Sequence, residues 1–200
     1  MTGKRIFILA LLTLAFGWAS AQTPQDDKEA FARIVSSTTG MKTMTADFVE
    51  TKHLQMLEED AVQSGKLWYK APSYMRWEYG RDFYGVLSQK GAYMVRGGKR
   101  DGALTRGFSQ TGKMVTGLIS NLSDNLKDYK VSYVKDGKDL KITTVPTSPR
   151  MKGMVDSVVM KFDIATGLIK SFEIRNNAGY TLITFSNVKK DSEIDPQLFN

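Results

Sequence analysis

From Ser64 to Tyr79 the side chains alternate with a period of two, and the apolar set is rich in large rings. Leu67, Tyr69, Met75, Trp77 and Tyr79 hold odd positions. Lys66, Lys70, Arg76 and Glu78 hold even ones, with Trp68 and Tyr74 among them. Successive side chains of a strand point to opposite faces, so this segment presents one apolar and one mostly polar face. Such a stretch suits either the core of an antiparallel sheet or the wall of a large apolar pocket, and alternation alone leaves both readings open.

The same period recurs along most of the chain. Met44, Ala46 and Phe48 alternate with polar residues up to about Met56, and further strands are expected near 63–70, 74–80, 82–88 and 92–97. Glycines punctuate them, and Pro72 belongs at a strand junction or edge because it cannot donate to a ladder. Residues 98–112, with Gly98, Gly102, Gly107 and Gly112, read as loop. Segments at 129–135 and 138–145 are joined by Asp136-Gly137, a hairpin signal. Strands at 153–163, 168–176 and 180–188 complete a meander of about ten.

Two helices break this pattern. Thr23 as cap, Pro24 at the first helical position and acid in the first turn start one that runs to about Thr38, burying Phe31, Ile34 and Val35, and Gly40 ends it. The second spans about 113–126, where Met114, Val115, Leu118, Ile119, Leu122 and Leu126 form one broad apolar stripe. Gly117 weakens it as a free helix, so it needs a surface to lie on. A long meander covered on one face by so few helices is a pocket by construction.

The N-terminus indicates the compartment. Lys4 and Arg5 precede an apolar run from Ile6 to Trp18, and Ala19-Ser20-Ala21 follows as a cleavage site. The run has signal-peptide length and is short for a membrane span. Residues 1–21 are therefore expected to be a signal peptide cleaved near Ala21, leaving a single domain over 22–200 in a bacterial periplasm. No Cys follows the run, so lipidation there is excluded. Residues 22–200 hold 26 basic and 21 acidic residues, a net +5. That mild balance lacks the aromatic-basic modules of nucleic-acid binders, while attraction to an anionic membrane or an acidic partner stays open.

Little in the chain supports chemistry. There is no cysteine, hence no disulfide or thiolate metal site, and one histidine, His53, with no second His to share a metal. Glu58-Glu59-Asp60 reads as a solvated turn rather than a calcium loop. Ser88 and Ser109 lack a nucleophile elbow, and no phosphate-cradling glycine loop is present. A binding protein without cofactor is expected. A lipid or glycan hydrolase remains the enzymatic alternative, favoured by a carboxylate pair inside the pocket.

The order of segments carries a resemblance. A signal peptide and short helix precede Thr45-Ala46-Asp47-Phe48-Val49-Glu50-Thr51-Lys52, then Ser64-Gly65-Lys66-Leu67-Trp68-Tyr69-Lys70-Ala71-Pro72 and Arg76-Trp77-Glu78. A mid-chain helix and a terminal Asp195-Pro196 to Phe199 element follow. This resembles the outer-membrane lipoprotein carrier family, LolA, across essentially the whole mature chain. The resemblance implies an α+β, mainly β fold: an incomplete, half-open antiparallel barrel of ten to eleven strands, with a helical lid over a hydrophobic cavity. It implies acylated lipoproteins as cargo, an inner-membrane ABC transporter as donor and an outer-membrane acceptor. Trp77 would line the cavity with Phe48, Leu67, Tyr69, Met75 and Tyr79, and Met114, Leu118, Ile119 and Leu122 would come from the lid. The lid residues are expected to pack on the sheet near Trp77 when the cavity is empty. Well-known members carry an Arg before the Pro of the "KxP" step that holds the lid. Here that position is Ala71, so the latch is expected to differ. A lipid-sensing regulatory domain, or a carrier of another lipid, is the runner-up reading. The intact mass of the exported protein should start at Gln22; retention of residues 1–21 would mean an uncleaved anchor.

Overall fold

The structure is a computed structural model describing residues 24–120 and 122–200; the expected signal peptide and the Thr23 cap lie outside the described residues. Eleven strands form one antiparallel sheet: β1 (Thr43–Leu54), β2 (Ala61–Lys70), β3 (Tyr74–Gly80), β4 (Phe83–Ser88), β5 (Gly91–Arg96), β6 (Lys99–Arg100), β7 (Tyr129–Asp136), β8 (Asp139–Pro146), β9 (Ser157–Asp163), β10 (Ile169–Asn176) and β11 (Gly179–Lys190). The order is β6-β5-β4-β3-β2-β1-β11-β10-β9-β8-β7. Each strand pairs with its neighbour in sequence except at the centre, where β1 meets β11 with Phe48 opposite Phe185. The edges β6 and β7 do not pair with each other, so the barrel stays open.

Alternation decides the faces. Met44, Ala46, Phe48, Leu67, Tyr69, Met75 and Trp77 all point inward and are buried in one cluster with Phe172, Ile183 and Phe185 from the other half. Helix α1 (Pro24–Thr38) covers β7 and β8, with Phe31 stacked on Tyr133 at 4.5 Å and Ile34 fully buried. Gly40 follows at φ +82, the left-handed conformation that ends a helix cheaply only in glycine. Helix α2 (Gly102–Ser120) lies across β5, β4 and β3 and leads into the one-turn α3 (Leu122–Asn125).

Three sequence expectations change. The segment 98–112 is not a loop: it holds β6 and the first half of α2. Asp101 caps the helix by accepting the Leu104 N–H at 2.9 Å, and the apolar period runs back through Phe108 to Leu104. The glycines that suggested a loop are tolerated because the sheet, not intrinsic propensity, holds this helix. The stripe expected over 113–126 is accordingly divided between α2 and α3. At the β7–β8 turn Asp136 pairs with Asp139, so the turn centres on Gly137 and Lys138, one residue later than expected. A short helix, α4 (Pro149–Lys152), occupies the approach to β9 and was not anticipated.

On the outer face, a 3₁₀ turn at Pro196–Phe199 lies across β3 and β4. Phe199 packs edge-on against Tyr74 at 5.8 Å, the Leu198 carbonyl accepts from Arg76, and the Tyr93 hydroxyl donates to the Asn200 carbonyl at 2.6 Å. This gives Val86 and Val95 a small second core outside the barrel.

Two glycines test the packing from opposite directions. A Cβ on Gly65 would stand 2.1 Å from the Glu78 carbonyl oxygen and 2.6 Å from the Phe48 ring. Backbone cannot yield there, so Gly65→Ala should lower the urea midpoint by roughly 1–3 kcal/mol equivalent. Gly107, inside α2, has open space where its Cβ would go. Gly107→Ala should raise stability by roughly 0.5–1 kcal/mol.

Candidate functional site

The inner face becomes a site because of what the two inward glycines admit. Gly65 stands opposite Phe48, and with no side chain there the Phe48 ring reaches across β2. It meets Trp77 at 4.5 Å and Tyr79 edge-on at 5.4 Å. Gly85 stands opposite Trp77 on β4, and the space its Cβ would need is taken by the Met94 sulfur and the Phe108 ring of α2. Trp77 is the hub, contacting Phe48 on one side and Phe185 at 6.4 Å on the other.

The helix closes this face. Val115, Leu118, Ile119 and Leu122 are buried in the same cluster as Trp77, and Met114 and Phe108 pack against it half-buried. Gly112 sits close enough to the sheet that a Cβ would meet Met75 at 3.0 Å. All ten residues singled out from the sequence belong to one apolar cluster or pack against it: Phe48, Leu67, Tyr69, Met75 and Trp77 buried on the sheet, Tyr79 half-buried beside them, Leu118 and Ile119 of α2 and Leu122 of α3 buried, and Met114 half-buried.

Sequence reasoning missed Phe108, Phe185, Gly85 and Glu50. Phe108 was hidden in the supposed loop, although its spacing from Leu104 and Gly112 was a helical signal. Phe185 joins only through the pairing of β1 with β11, which has no local signature.

Glu50 is the polar exception. It falls on the inner face, in register with Ile183, and its carboxylate accepts the Tyr79 hydroxyl at 2.7 Å. Burial pushes the Tyr79 phenol well above the usual tyrosine range, and the Glu50 charge and its hydrogen bond push it further the same way; the Trp77 indole opposes this weakly. The phenol therefore stays a donor and the ring stays neutral at any physiological pH. Glu50 bonds a phenol rather than a second carboxylate, which is not the paired arrangement glycoside hydrolysis needs. His53 lies outside the seam, stacked on Tyr180 and bonded to Asp60 at 2.7 Å. Among the described residues no group of three or more His, Cys, Asp or Glu side chains is placed to hold a metal.

Ala71 donates its backbone N–H to the Lys42 carbonyl at 2.8 Å and packs against the core. A methyl group cannot fasten the lid. The polar ties of α2 sit at its start instead: the Met94 N–H donates to the Thr105 hydroxyl at 2.9 Å, and that hydroxyl donates to the Asp101 carbonyl at 2.7 Å. At the other end of α2 the seam opens into a slot of about 510 Å3, lined by Pro72 and Ser73, by Leu87, Ser88, Gln89 and Gly91, and by Lys113, Thr116 and Gly117. Among the described residues these ties lie near the N-terminal end of α2, and the slot borders Lys113, Thr116 and Gly117 in its second half.

Several solved structures align with this chain at low identity and with TM-scores below 0.5. MucB aligns at 12% identity and TM-score 0.47 over 88% of this chain, which spans 62% of that protein. Lipoprotein LppX from Mycobacterium tuberculosis aligns at 12% identity and TM-score 0.49, over 84% of this chain and 96% of its own. A putative outer membrane lipoprotein-sorting protein domain from Vibrio parahaemolyticus aligns at 12% identity and TM-score 0.41, over 88% and 97%. No curated protein sequence matches. Residues 39–200, which contain all eleven strands and the lid, match the family described as outer membrane lipoprotein carrier protein LolA, and the chain belongs to that family.

Proposed function

We propose that this protein is a periplasmic carrier that lodges the acyl chains of lipoproteins between α2 and the inner face of the sheet. It would take them from an inner-membrane ABC transporter and deliver them to an acceptor at the outer membrane. The observation that carries this reading is the seam itself: an apolar sheet face covered by a helix that is poorly stable on its own.

Magnitudes favour exchange of helix for lipid. Val115, Leu118, Ile119 and Leu122 are nearly fully buried, and at about 1.5–3 kcal/mol each their burial contributes roughly 6–12 kcal/mol gross. One acyl chain of about 16 carbons gains about 12 kcal/mol on burial at 0.8 per methylene. The two terms are of one size, so lipid can replace the helix without either state dominating. Gly107, Gly112 and Gly117 inside α2 each cost about 0.5–1 kcal/mol relative to alanine, which biases the helix towards release. Methionines at Met75, Met94 and Met114 let the walls adapt to chains of differing shape.

The reading implies binding and hand-over rather than catalysis. Native mass spectrometry of protein purified from its own periplasm should show a bound lipoprotein or diacyl lipid. Trp77→Glu and Leu118→Glu should abolish uptake of a fluorescent acyl probe. An empty protein that also ignores added lipopeptide would overturn the proposal and leave the seam as ordinary core.

Lid displacement has its own test, made clean by the lack of native cysteines. Gly112→Cys combined with Leu87→Cys places two thiols across the seam, where the Gly112 Cβ position is 3.7 Å from a Leu87 methyl. Oxidation should reduce probe uptake at least tenfold and reduction should restore it. Unchanged uptake in the cross-linked form would show that lipid enters without moving α2.

A further inference from the structure

The positive charge of this protein is not spread evenly. Residues 81–120 hold seven basic residues, Arg81, Lys90, Arg96, Lys99, Arg100, Arg106 and Lys113, against Asp82 and Asp101, a net +5. That equals the net charge of residues 22–200 as a whole, so the rest of that span balances to zero. None of the seven lies in an ion pair with a described carboxylate. Of the two acids in the segment, Asp101 caps α2 through its side chain.

Three of these cations surround one protrusion. The turn joining β4 to β5, with Lys90 exposed on it, separates two open pockets. On the lid side is the 510 Å3 slot, with Lys113 on its wall. On the outer side is a pocket of about 640 Å3 that includes Lys90, Tyr93 and Arg100, with Arg100 resting on the Tyr93 ring at 4.4 Å. Ser88, Gln89 and Gly91 line both. The exposed face of α2 continues the pattern, since Arg106, Gln110 and Lys113 follow at helical spacing and carry no acid.

We propose that the β4–β5 turn, flanked by Lys90, Arg100 and Lys113, docks on an anionic phospholipid surface. Uncompensated cations of one sign on an exposed tip are attracted to phosphate headgroups and release counterions there. The charges are few and exposed, so the attachment is weak, reversible and screened by salt. Docked this way, the slot beside Lys113 faces the bilayer. The purpose of docking rests on the carrier reading; the docking itself does not.

Sedimentation with vesicles tests it. The full mature chain is mixed with phosphatidylcholine vesicles containing about one third phosphatidylglycerol, and with phosphatidylcholine alone. Binding should require the anionic lipid and fall at least tenfold between about 0.05 M and about 0.5 M salt. The triple variant Lys90→Glu, Arg100→Glu, Lys113→Glu should lose at least tenfold in affinity. The variant Lys130→Glu, Lys141→Glu, Lys189→Glu changes charge equally on β7, β8 and β11 and should stay within about threefold of the parent. Circular dichroism and urea unfolding, measured in parallel, show that each variant is folded, and acyl-probe uptake by the parent reports the carrier reading separately. Absence of binding to anionic vesicles would overturn the proposal and leave an acidic protein as the partner of this face. Equal loss in both triple variants would overturn it too, because net charge rather than this tip would then be responsible.

Discussion

The packing of α2 on the inner face of the sheet is the interaction on which everything else depends. A sheet of eleven strands that does not close has a broad apolar face to cover, and exposed apolar area of that size is an aggregation hazard. α1 covers the side near β7 and β8 and α2 the side near β3 to β5. Remove α2 and Met75, Trp77, Leu87 and Met94 are bare. The helix is therefore a structural necessity in the empty protein, and on the carrier reading its residues are the ones a lipid would replace. One set of contacts serves both stability and binding, which limits how strong either can be.

Glycine placement shows how that limit is set locally. Gly65 and Gly85 remove bulk from the sheet so that Phe48 and Phe108 can converge on Trp77, which tightens the seam. Gly107, Gly112 and Gly117 loosen the helix that closes it. Only Gly112 has an evident packing reason, its nearness to Met75; Gly107 faces open space. A residue that lowers helix stability where an alanine would fit belongs to a helix that is not meant to be as stable as possible. The Asp101 and Thr105 hydrogen bonds hold its first turn.

How far the sequence could be read follows from the range of the interactions. The stripe Leu67, Tyr69, Met75, Trp77 was legible because a strand with one buried face writes its pattern locally. So was α1, with Pro24 at its start and Gly40 after its end. The beginning of α2 was not legible in the same way. Gly102, Gly107 and Gly112 lower local helix propensity, and the compensation comes from packing on Gly85 and Met94, which only the folded sheet brings against the helix. The pairing of β1 with β11 is more remote still: Phe48 and Phe185 are far apart in sequence, and nothing near either announces the other. The side of the site contributed by β1 to β3 was thus written in short-range alternation, while Phe108, Phe185 and the inward placement of Glu50 depend on topology.

Glu50 gives the seam a direction. A half-buried carboxylate beside the aromatic cluster needs a donor, and the Tyr79 phenol supplies one at 2.7 Å. The aromatic group Phe48, Trp77, Tyr79 and Phe83 thus ends in an acceptor, while the slot at the far end of α2 has Lys113 on its wall. An acyl chain is indifferent to this polarity, but the group that joins it to its cargo is not. On the carrier reading, Lys113 on the wall of the slot would attract an anionic headgroup, and the cations proposed to face a membrane would also border the lipid's way in and out.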